Sequence, residues 1–409
     1  MSPWIRRSLL MLVLASCMPH SGSAQGSTLD RVSVDGRDLW LNGANVAWVN
    51  FARDIGPGET RLDVFERIFQ ELHENGGNTM RLWLHTTGAA SPEWEGEVVV
   101  GPGEGTIEDL TAILDLAREH EIRLMLCLWS FDMLRIRNGT EITDRSFALL
   151  TNEQRLQSYI DDALVPMVTA LRGHPAILAW EIFNEPEGMS EEFGWEFNRH
   201  VPMSAIQRFI NRTAGAIKRT DPGALVTNGS WSFRAASDVT ADRDLLMEGR
   251  PADALNAAEL ERVRQRLAAR YEYLYTLEEA RELYGTLQEW GENHNYYADE
   301  RLIAAGGDSQ GVLDFYTVHY YEWGSTQLSP FHHDAEFWGL DKPLVIAEFF
   351  LDDSFGVAWP ELYEVLHARG YAGALGWQWS NAYENRAEGA RQWPRILGSV
   401  RRVGGPAQR

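Results

Sequence analysis

The chain has 409 residues, of which 44% are hydrophobic, and its formal net charge at pH 7 is −22. That length exceeds a small domain and suits one large α/β barrel, a fold that starts from about 250 residues and grows by loop insertion. The negative charge excludes nucleic acid as a partner, because phosphate binding needs a basic face that no cluster of lysines and arginines supplies here.

The N-terminus is typical of an export signal. Arg6 and Arg7 precede an apolar run over residues 9–15 that is too short to span a bilayer permanently. One possible signal peptide covers residues 1–24, with small residues at 22–24 for cleavage. The other covers residues 1–16, because residues 14–17 resemble the bacterial lipobox, in which Cys17 would become the lipidated first residue. We favour the lipobox over a chance cysteine, and expect either a lipoprotein of the outer membrane or cell surface or a periplasmic or secreted protein.

Cysteine and histidine usage indicates neither a disulfide nor a metal site. Cys127 is the only other cysteine, so the mature chain has no partner for an internal disulfide. No group of cysteines and histidines has the spacing of metal ligands, and we therefore expect no metal and no cofactor. A single loop calcium site built from carboxylates stays open as an alternative.

From residue 25 onward the sequence predicts one domain, in which short apolar runs alternate with segments of helical periodicity. The eight runs cover residues 43–48, 78–84, 123–129, 176–183, 224–230, 315–321, 344–350 and 373–379. Eight repeats of strand and helix predict a (β/α)8 TIM barrel of the α/β class.

A long segment separates the fifth run from the sixth. Between about residues 240 and 300 it is rich in Ala, Leu, Glu and Arg, a composition that favours helix. We expect a helical insertion between strands 5 and 6. It would either cover the active-site side of the barrel or only add stability at the periphery, and the sequence leaves both alternatives open.

Glutamate side chains lie at the C-terminal ends of two of the predicted strands. In this kind of barrel the C-terminal ends of all strands face one cavity, so residues distant in sequence meet there. Glu185 ends the fourth run, and Glu348 lies in an apolar stretch of the seventh, where an ionised side chain is costly unless it is paired or catalytic. Two opposed carboxylates suggest hydrolysis of a glycosidic bond, which needs a proton donor at the leaving oxygen and a carboxylate at the anomeric carbon.

Five features in barrel order resemble glycoside hydrolase family 5 of clan A. They are Arg81 on strand two, Asn184-Glu185-Pro186 after strand four, His319-x-Tyr321 on strand six, Glu348 on strand seven, and the aromatic pair Trp377 and Trp379 on strand eight. The resemblance spans about residues 40–385 and includes the endo-β-1,4-mannanases and glucanases. It implies a retaining glycoside hydrolase of β-linked polysaccharide that needs no cofactor.

The resemblance also implies roles for individual residues. Glu185 would be the general acid/base, with a raised pKa, and Glu348 would be the nucleophile. Arg81 and Tyr321 would hydrogen-bond Glu348, and His319 would lie beside Glu185.

The implied substrate contacts are polar and aromatic. Asn184 would bind the sugar 2-hydroxyl, and Trp379, in preference to Trp377, would form the floor of the −1 subsite. We also expect Trp231, Trp129 and His85 to contact the substrate. Many family members have a histidine at the end of strand three, where this chain has Trp129 and Ser130.

Several functions stay open. We favour an endo-β-1,4-mannanase that acts as a monomer, and the nearest alternatives are an endo-β-glucanase and an exo-β-glycosidase. A surface lipoprotein that binds polysaccharide without cleaving it belongs to a different class. The presence of both glutamates argues against that last alternative.

Overall fold

A computed structural model describes residues 29–56, 60–379 and 386–404. Eight parallel strands close into a barrel in which each strand pairs with its neighbours in sequence and the last pairs with the first. The strands are β1 (Leu41–Asn45), β2 (Thr79–Thr86), β3 (Arg123–Ser130), β4 (Ile177–Asn184), β5 (Val226–Ser230), β6 (Tyr316–His319), β7 (Leu344–Glu348) and β8 (Gly373–Gly376). The predicted (β/α)8 barrel is therefore confirmed.

The barrel strands are buried on both faces, which is why each appears in the sequence as an apolar run rather than as an alternating pattern. Every residue of β1, β2, β5, β6, β7 and β8 is buried. The parallel register aligns the strand ends, so that Asn45 lies opposite Arg81 and His319 lies opposite Glu348. This alignment gathers the polar side chains at one end of the barrel.

Helices surround the barrel and connect its strands. They are α1 (Leu62–Glu74), α2 (Thr106–Glu119), α3 (Thr140–Thr151), α4 (Glu153–Ser158), α5 (Val165–Leu171), α6 (Met203–Thr220), α7 (Phe233–Ala236), α8 (Ala257–Tyr271), α9 (Leu277–Trp290), α10 (Asp299–Gly306), α11 (Leu362–Ala368) and α12 (Arg386–Gly404), with a π-helical turn at Tyr159–Leu164 between α4 and α5. The helix α1 shows the common pattern: Phe65, Ile68, Phe69 and Leu72 recur at helical spacing and are fully buried.

The segment between β5 and β6 contains the helical pair α8 and α9, each begun by a capping box, with Asn256 and Thr276 as the N-caps. The pair has a small hydrophobic core of its own, which includes Leu267 and Tyr284. It packs against the barrel through the Tyr275 hydroxyl, which donates to Thr326 Oγ1 at 2.6 Å. The insertion thus lies against the loop that follows β6.

A short hairpin before the barrel, Val32–Val34 with Arg37–Leu39, contacts the opposite end. Val32 and Val34 pack with Leu41, Leu178 and Val345, residues near the starts of barrel strands. This hairpin closes the end away from the carboxylates. The predicted signal sequence and Cys17 lie outside the described residues, and among the described residues no helix is long and apolar enough to cross a membrane.

Candidate active site

Arg81 lies fully buried in the barrel and connects four of its strands. Its Nε and Nη2 donate to the two oxygens of Glu181 on β4, at 2.5 and 3.1 Å. Its Nη1 donates to Asn45 Oδ1 at 3.0 Å and to Glu348 Oε1 at 2.5 Å, and its Nη2 donates to Asn184 Oδ1 at 2.9 Å. One guanidinium thus fixes the predicted nucleophile and the predicted sugar-binding amide together.

Gly229 on β5 makes room for this network. A Cβ at that position would lie 2.3 Å from Glu181 Oε1 and 3.1 Å from Arg81 Nη2. Any side chain at position 229 would therefore displace the bidentate pair of Arg81 and Glu181. Glycine at this position is what allows Arg81 to be buried beside Glu181.

Glu348 ends β7 and is 4% exposed. Its Oε1 accepts from Arg81, and its Oε2 accepts from the Tyr321 hydroxyl at 3.0 Å. Burial raises the pKa of Glu348, and the charge of Arg81 acts in the opposite direction. The predicted contacts of Arg81 and Tyr321 with Glu348 are both present.

Glu185 follows β4 and has left-handed backbone angles, φ 48° and ψ 52°. Its backbone nitrogen donates to Gly229 O at 2.7 Å, and its Oε1 is 2.8 Å from His319 Nδ1. Burial raises the pKa of Glu185 to about 7, while Arg81 acts in the opposite direction. Burial also lowers the pKa of His319 to about 4, so the imidazole next to Glu185 is neutral at the pH where Glu185 titrates.

The two carboxylates lie close together. One oxygen of Glu185, one oxygen of Glu348 and a nitrogen of His319 all lie within 4.8 Å of one another, a spacing that would also suit a metal ion. The guanidinium of Arg81, 2.5 Å from Glu348, disfavours a second cation at that carboxylate. The arrangement is better suited to acid–base and nucleophilic chemistry, because it holds one protonated and one hydrogen-bonded carboxyl group side by side.

Aromatic side chains extend from this centre along β8 and β1. Trp377, directly after β8, contacts Trp83 and Trp48 with ring centroids 5.8 and 5.9 Å apart, and Arg81 lies over the Trp83 ring at 5.5 Å. Trp379 is also partly exposed, and its backbone nitrogen donates to Asn45 O at 3.0 Å. Ring contacts thus connect Trp377, rather than Trp379, to the aromatic cluster beside Arg81.

Trp231, after β5, stacks on Trp323 from the loop after β6, with centroids 4.6 Å apart and planes inclined by 14°. Trp323 is 44% exposed and also contacts Trp290 at the end of α9. Trp231 therefore lies in an accessible aromatic group to which the insertion contributes. The prediction that it contacts substrate is compatible with this position.

Trp129 and His85 occupy different positions from those expected. Both are 0% exposed, their rings are 4.8 Å apart, and both contact Tyr159 of the π-helical turn. The pairing of β2 with β3 is irregular between Trp83 and Thr86, which breaks the alternation that would have pointed His85 into the barrel. The structure corrects the expectation of substrate contact, because both side chains pack in the core.

The comparison with known proteins agrees with this geometry. The family model "Cellulase (glycosyl hydrolase family 5)" matches residues 41–382. The chain belongs to glycosyl hydrolase family 5. A protein of Mytilus edulis named mannan endo-1,4-beta-mannosidase is 32% identical over 400 residues, which cover 91% of this chain and 92% of that protein. One of the same name from Cryptopygus antarcticus is 28% identical over 93% of each chain.

Solved structures of the family also resemble this chain. The endo-1,4-beta-mannanase of Eisenia fetida superposes with a TM-score of 0.69 at 31% identity, covering 90% of this chain and 92% of that one. The beta-mannanase of Mytilus edulis gives a TM-score of 0.68 at 29% identity, covering 91% and 93%. This member of family 5 is a glycoside hydrolase.

Two residues of the site received no functional role from the sequence. Asn45 orients Arg81, because its Nδ2 donates to Ala347 O at 2.7 Å and to Leu375 O at 3.0 Å while its Oδ1 accepts from Arg81. Its place as a polar residue inside the apolar first run was the available signal. Glu187, which received no catalytic role from the sequence, is fully buried, and the partners of its side chain, Ser230, Trp231 and Tyr297, are all distant from it in sequence.

Proposed function

We propose that this family 5 glycoside hydrolase is a retaining endo-β-1,4-mannanase. The observation that supports the retaining mechanism is the spacing of the two carboxylates, since one oxygen of Glu185 lies within 4.8 Å of one oxygen of Glu348. Retaining enzymes hold the two groups about 5–5.5 Å apart, whereas inverting enzymes separate them by about 6.5–9.5 Å to admit a water molecule. The short spacing of Glu185 and Glu348 supports the retaining arrangement.

In the proposed reaction Glu185 and Glu348 act in turn. Glu185, protonated because burial raises its pKa to about 7, donates its proton to the leaving oxygen. The Glu348 carboxylate, held by Arg81 and Tyr321, bonds to the anomeric carbon as the glycosidic bond breaks. Glu185, now ionised, takes a proton from water, and the resulting hydroxide displaces Glu348 and restores both groups.

Asn184 is in position to contribute to the same step. Its Oδ1 accepts from Arg81 and its Nδ2 lies 3.4 Å from Ser130 Oγ, so its amide is held at the end of β4 beside Glu185. We propose that it binds the sugar 2-hydroxyl, a contact that strengthens as the oxocarbenium-like transition state forms.

Mannan as the substrate is supported by the relatives, since proteins named endo-1,4-beta-mannosidases match this chain over more than 90% of its length. An endo-β-glucanase is the second candidate, because the matching family model carries the name cellulase. The test measures products from mannan, glucomannan and carboxymethylcellulose. Random oligosaccharides from mannan support endo-mannanase action; release of one small product or preference for carboxymethylcellulose contradicts it.

We further propose that the protein is exported as a monomer and anchored through a lipid on Cys17. The support is the sequence pattern of residues 6–17. The mass of the mature N-terminus in wild type and in Cys17→Ser tests the anchor. An unmodified N-terminus after residue 24 in the wild type contradicts it.

A further inference from the structure

Glu187 lies two residues after Glu185 and does not face the substrate side. Its Oε1 accepts hydrogen bonds from Ser230 Oγ at 2.7 Å and from the Tyr297 hydroxyl at 2.5 Å, and its Oε2 accepts from the Trp231 backbone nitrogen at 3.2 Å. The side chain is 0% exposed. A buried carboxylate is costly unless its oxygens are bonded, and here every bond comes from another element of the fold.

These three bonds join separate parts of the chain. Ser230 ends β5 and Trp231 follows it, whereas Tyr297 lies at the end of the inserted segment, 110 residues from Glu187. Tyr297 is itself fixed, because it is 1% exposed and its backbone nitrogen donates to Asn295 Oδ1 at 3.0 Å. Glu187 therefore connects the short helical turn Pro186–Met189 both to the barrel and to the insertion.

The turn that Glu187 holds also carries Glu185 in a strained conformation. A residue other than glycine with φ 48° persists only where its surroundings hold it. On one side the Glu185 backbone nitrogen bonds Gly229 O, and on the other Gly188 N donates to Glu185 O at 3.1 Å. Backbone oxygens of the turn also accept bonds from the loop that follows it, from Trp195 N to Gly188 O at 3.0 Å and from Val201 N to Met189 O at 2.9 Å. The Glu187 side chain is the contact that ties this turn to the inserted segment, through Tyr297.

We propose that Glu187 is a positioning residue, which together with Tyr297 uses the inserted segment to hold the acid/base Glu185 in place for proton donation. The inference rests on the proposed role of Glu185. It gives the insertion a function in the reaction through Tyr297, whereas the alternative is a helical decoration that only adds stability.

The test separates proton donation from binding and folding. In Glu187→Ala, kcat/KM is measured for a series of aryl β-glycosides that share one manno-oligosaccharide and differ in leaving group. Good leaving groups need no proton, so their kcat/KM should change by less than about 3-fold, while poor leaving groups should lose about 30-fold or more. A binding or folding defect lowers the whole series equally.

Two milder variants, Tyr297→Phe and Glu187→Gln, test the same role even where Glu187→Ala does not fold. Tyr297→Phe keeps the carboxylate and removes one donor, and it should show the same dependence on the leaving group with a loss of about 3- to 10-fold for the poorest ones. Glu187→Gln should restore part of the loss in Glu187→Ala, because it retains one acceptor. Glu191→Ala, at an exposed glutamate in the same loop, is the matched control and should match the wild type throughout.

The outcomes distinguish this inference from the proposed function. If Tyr297→Phe loses activity equally across the series, or loses none, the positioning role is wrong even where Glu187→Ala does not fold. If wild type prefers a glucan to mannan, the proposed substrate is wrong, and the same series on the corresponding gluco-oligosaccharide decides the role of Glu187. If Glu185→Ala shows no dependence on the leaving group, the proposed acid/base itself is wrong.

Discussion

The pKa of Glu185 should set the upper pH limit of the reaction. In the proposed mechanism the free enzyme is competent when Glu185 is protonated, and burial raises the pKa of Glu185 to about 7. Above that pH each unit lowers the protonated fraction tenfold, which corresponds to about 1.4 kcal/mol of activation free energy. At pH 9 about 1% of the enzyme retains the proton, so kcat/KM on mannan should be about 100-fold below its maximum.

The assay measures the initial rate of mannan hydrolysis at low substrate concentration between pH 5 and 9.5. His319, with a pKa of about 4, is neutral across this range and does not produce the decline. Glu187 also has a pKa of about 7, so Glu187→Gln is the control, and the decline should persist in it. With an activated aryl glycoside as substrate, kcat/KM of Glu185→Gln should not fall as the pH rises. A wild-type profile that stays flat to pH 9, or a decline that survives in Glu185→Gln, would refute the assignment.

Further expectations concern the nucleophile, the protein's stability and the core. Glu348→Ala should abolish turnover on every substrate, while its circular dichroism spectrum and its oligosaccharide binding stay unchanged. Full activity of this variant on mannan would contradict the proposed mechanism. Because the folded-state pKa of Glu185 exceeds its ordinary value of about 4.5, stability falls as pH rises from about 4.5 to 7. Glu185→Gln should therefore exceed wild type in unfolding free energy by about 3 kcal/mol at pH 8 and by nothing at pH 4.5, measured by urea denaturation. Arg81→Ala leaves two buried carboxylates without their cation and should cost about 3–5 kcal/mol. Trp129→Ala should cost about 3–5 kcal/mol through a cavity and leave KM unchanged in the folded fraction, and a KM effect alone would restore its role in binding.

The barrel was predictable because parallel strands buried on both faces produce apolar runs. The residues at which the strands begin and end were harder to predict. The first run was predicted at residues 43–48, yet β1 is Leu41–Asn45, since Val46, Ala47 and Trp48 remain buried after the strand has ended. An apolar run therefore indicates which residues are buried, but it does not indicate where the strand ends.

The catalytic centre was predictable for a related reason. Strand ends in a closed parallel barrel converge, so Glu185, Glu348, Arg81 and His319 meet although they are far apart in sequence. Trp129 was predicted to contact substrate from its place near the end of a run, whereas it is 0% exposed and packs against His85 and Tyr159. The partner of Glu187, Tyr297, could not be inferred, because nothing in the sequence specifies how an insertion folds back onto the barrel.

The five hydrogen bonds that Arg81 donates to oxygen atoms have a consequence for how substrate preference can change. The proposed nucleophile Glu348, the Asn184 amide proposed to bind the sugar, and the Glu181 carboxylate all accept hydrogen bonds from Arg81. A substitution at any one of them should therefore disturb the others. Directed evolution of this enzyme should therefore accumulate its specificity changes in the loops around the opening, among residues such as Trp231 and Trp323, and leave the axis untouched. We therefore expect the loops around the opening to tolerate substitution and the buried Arg81 network to tolerate none.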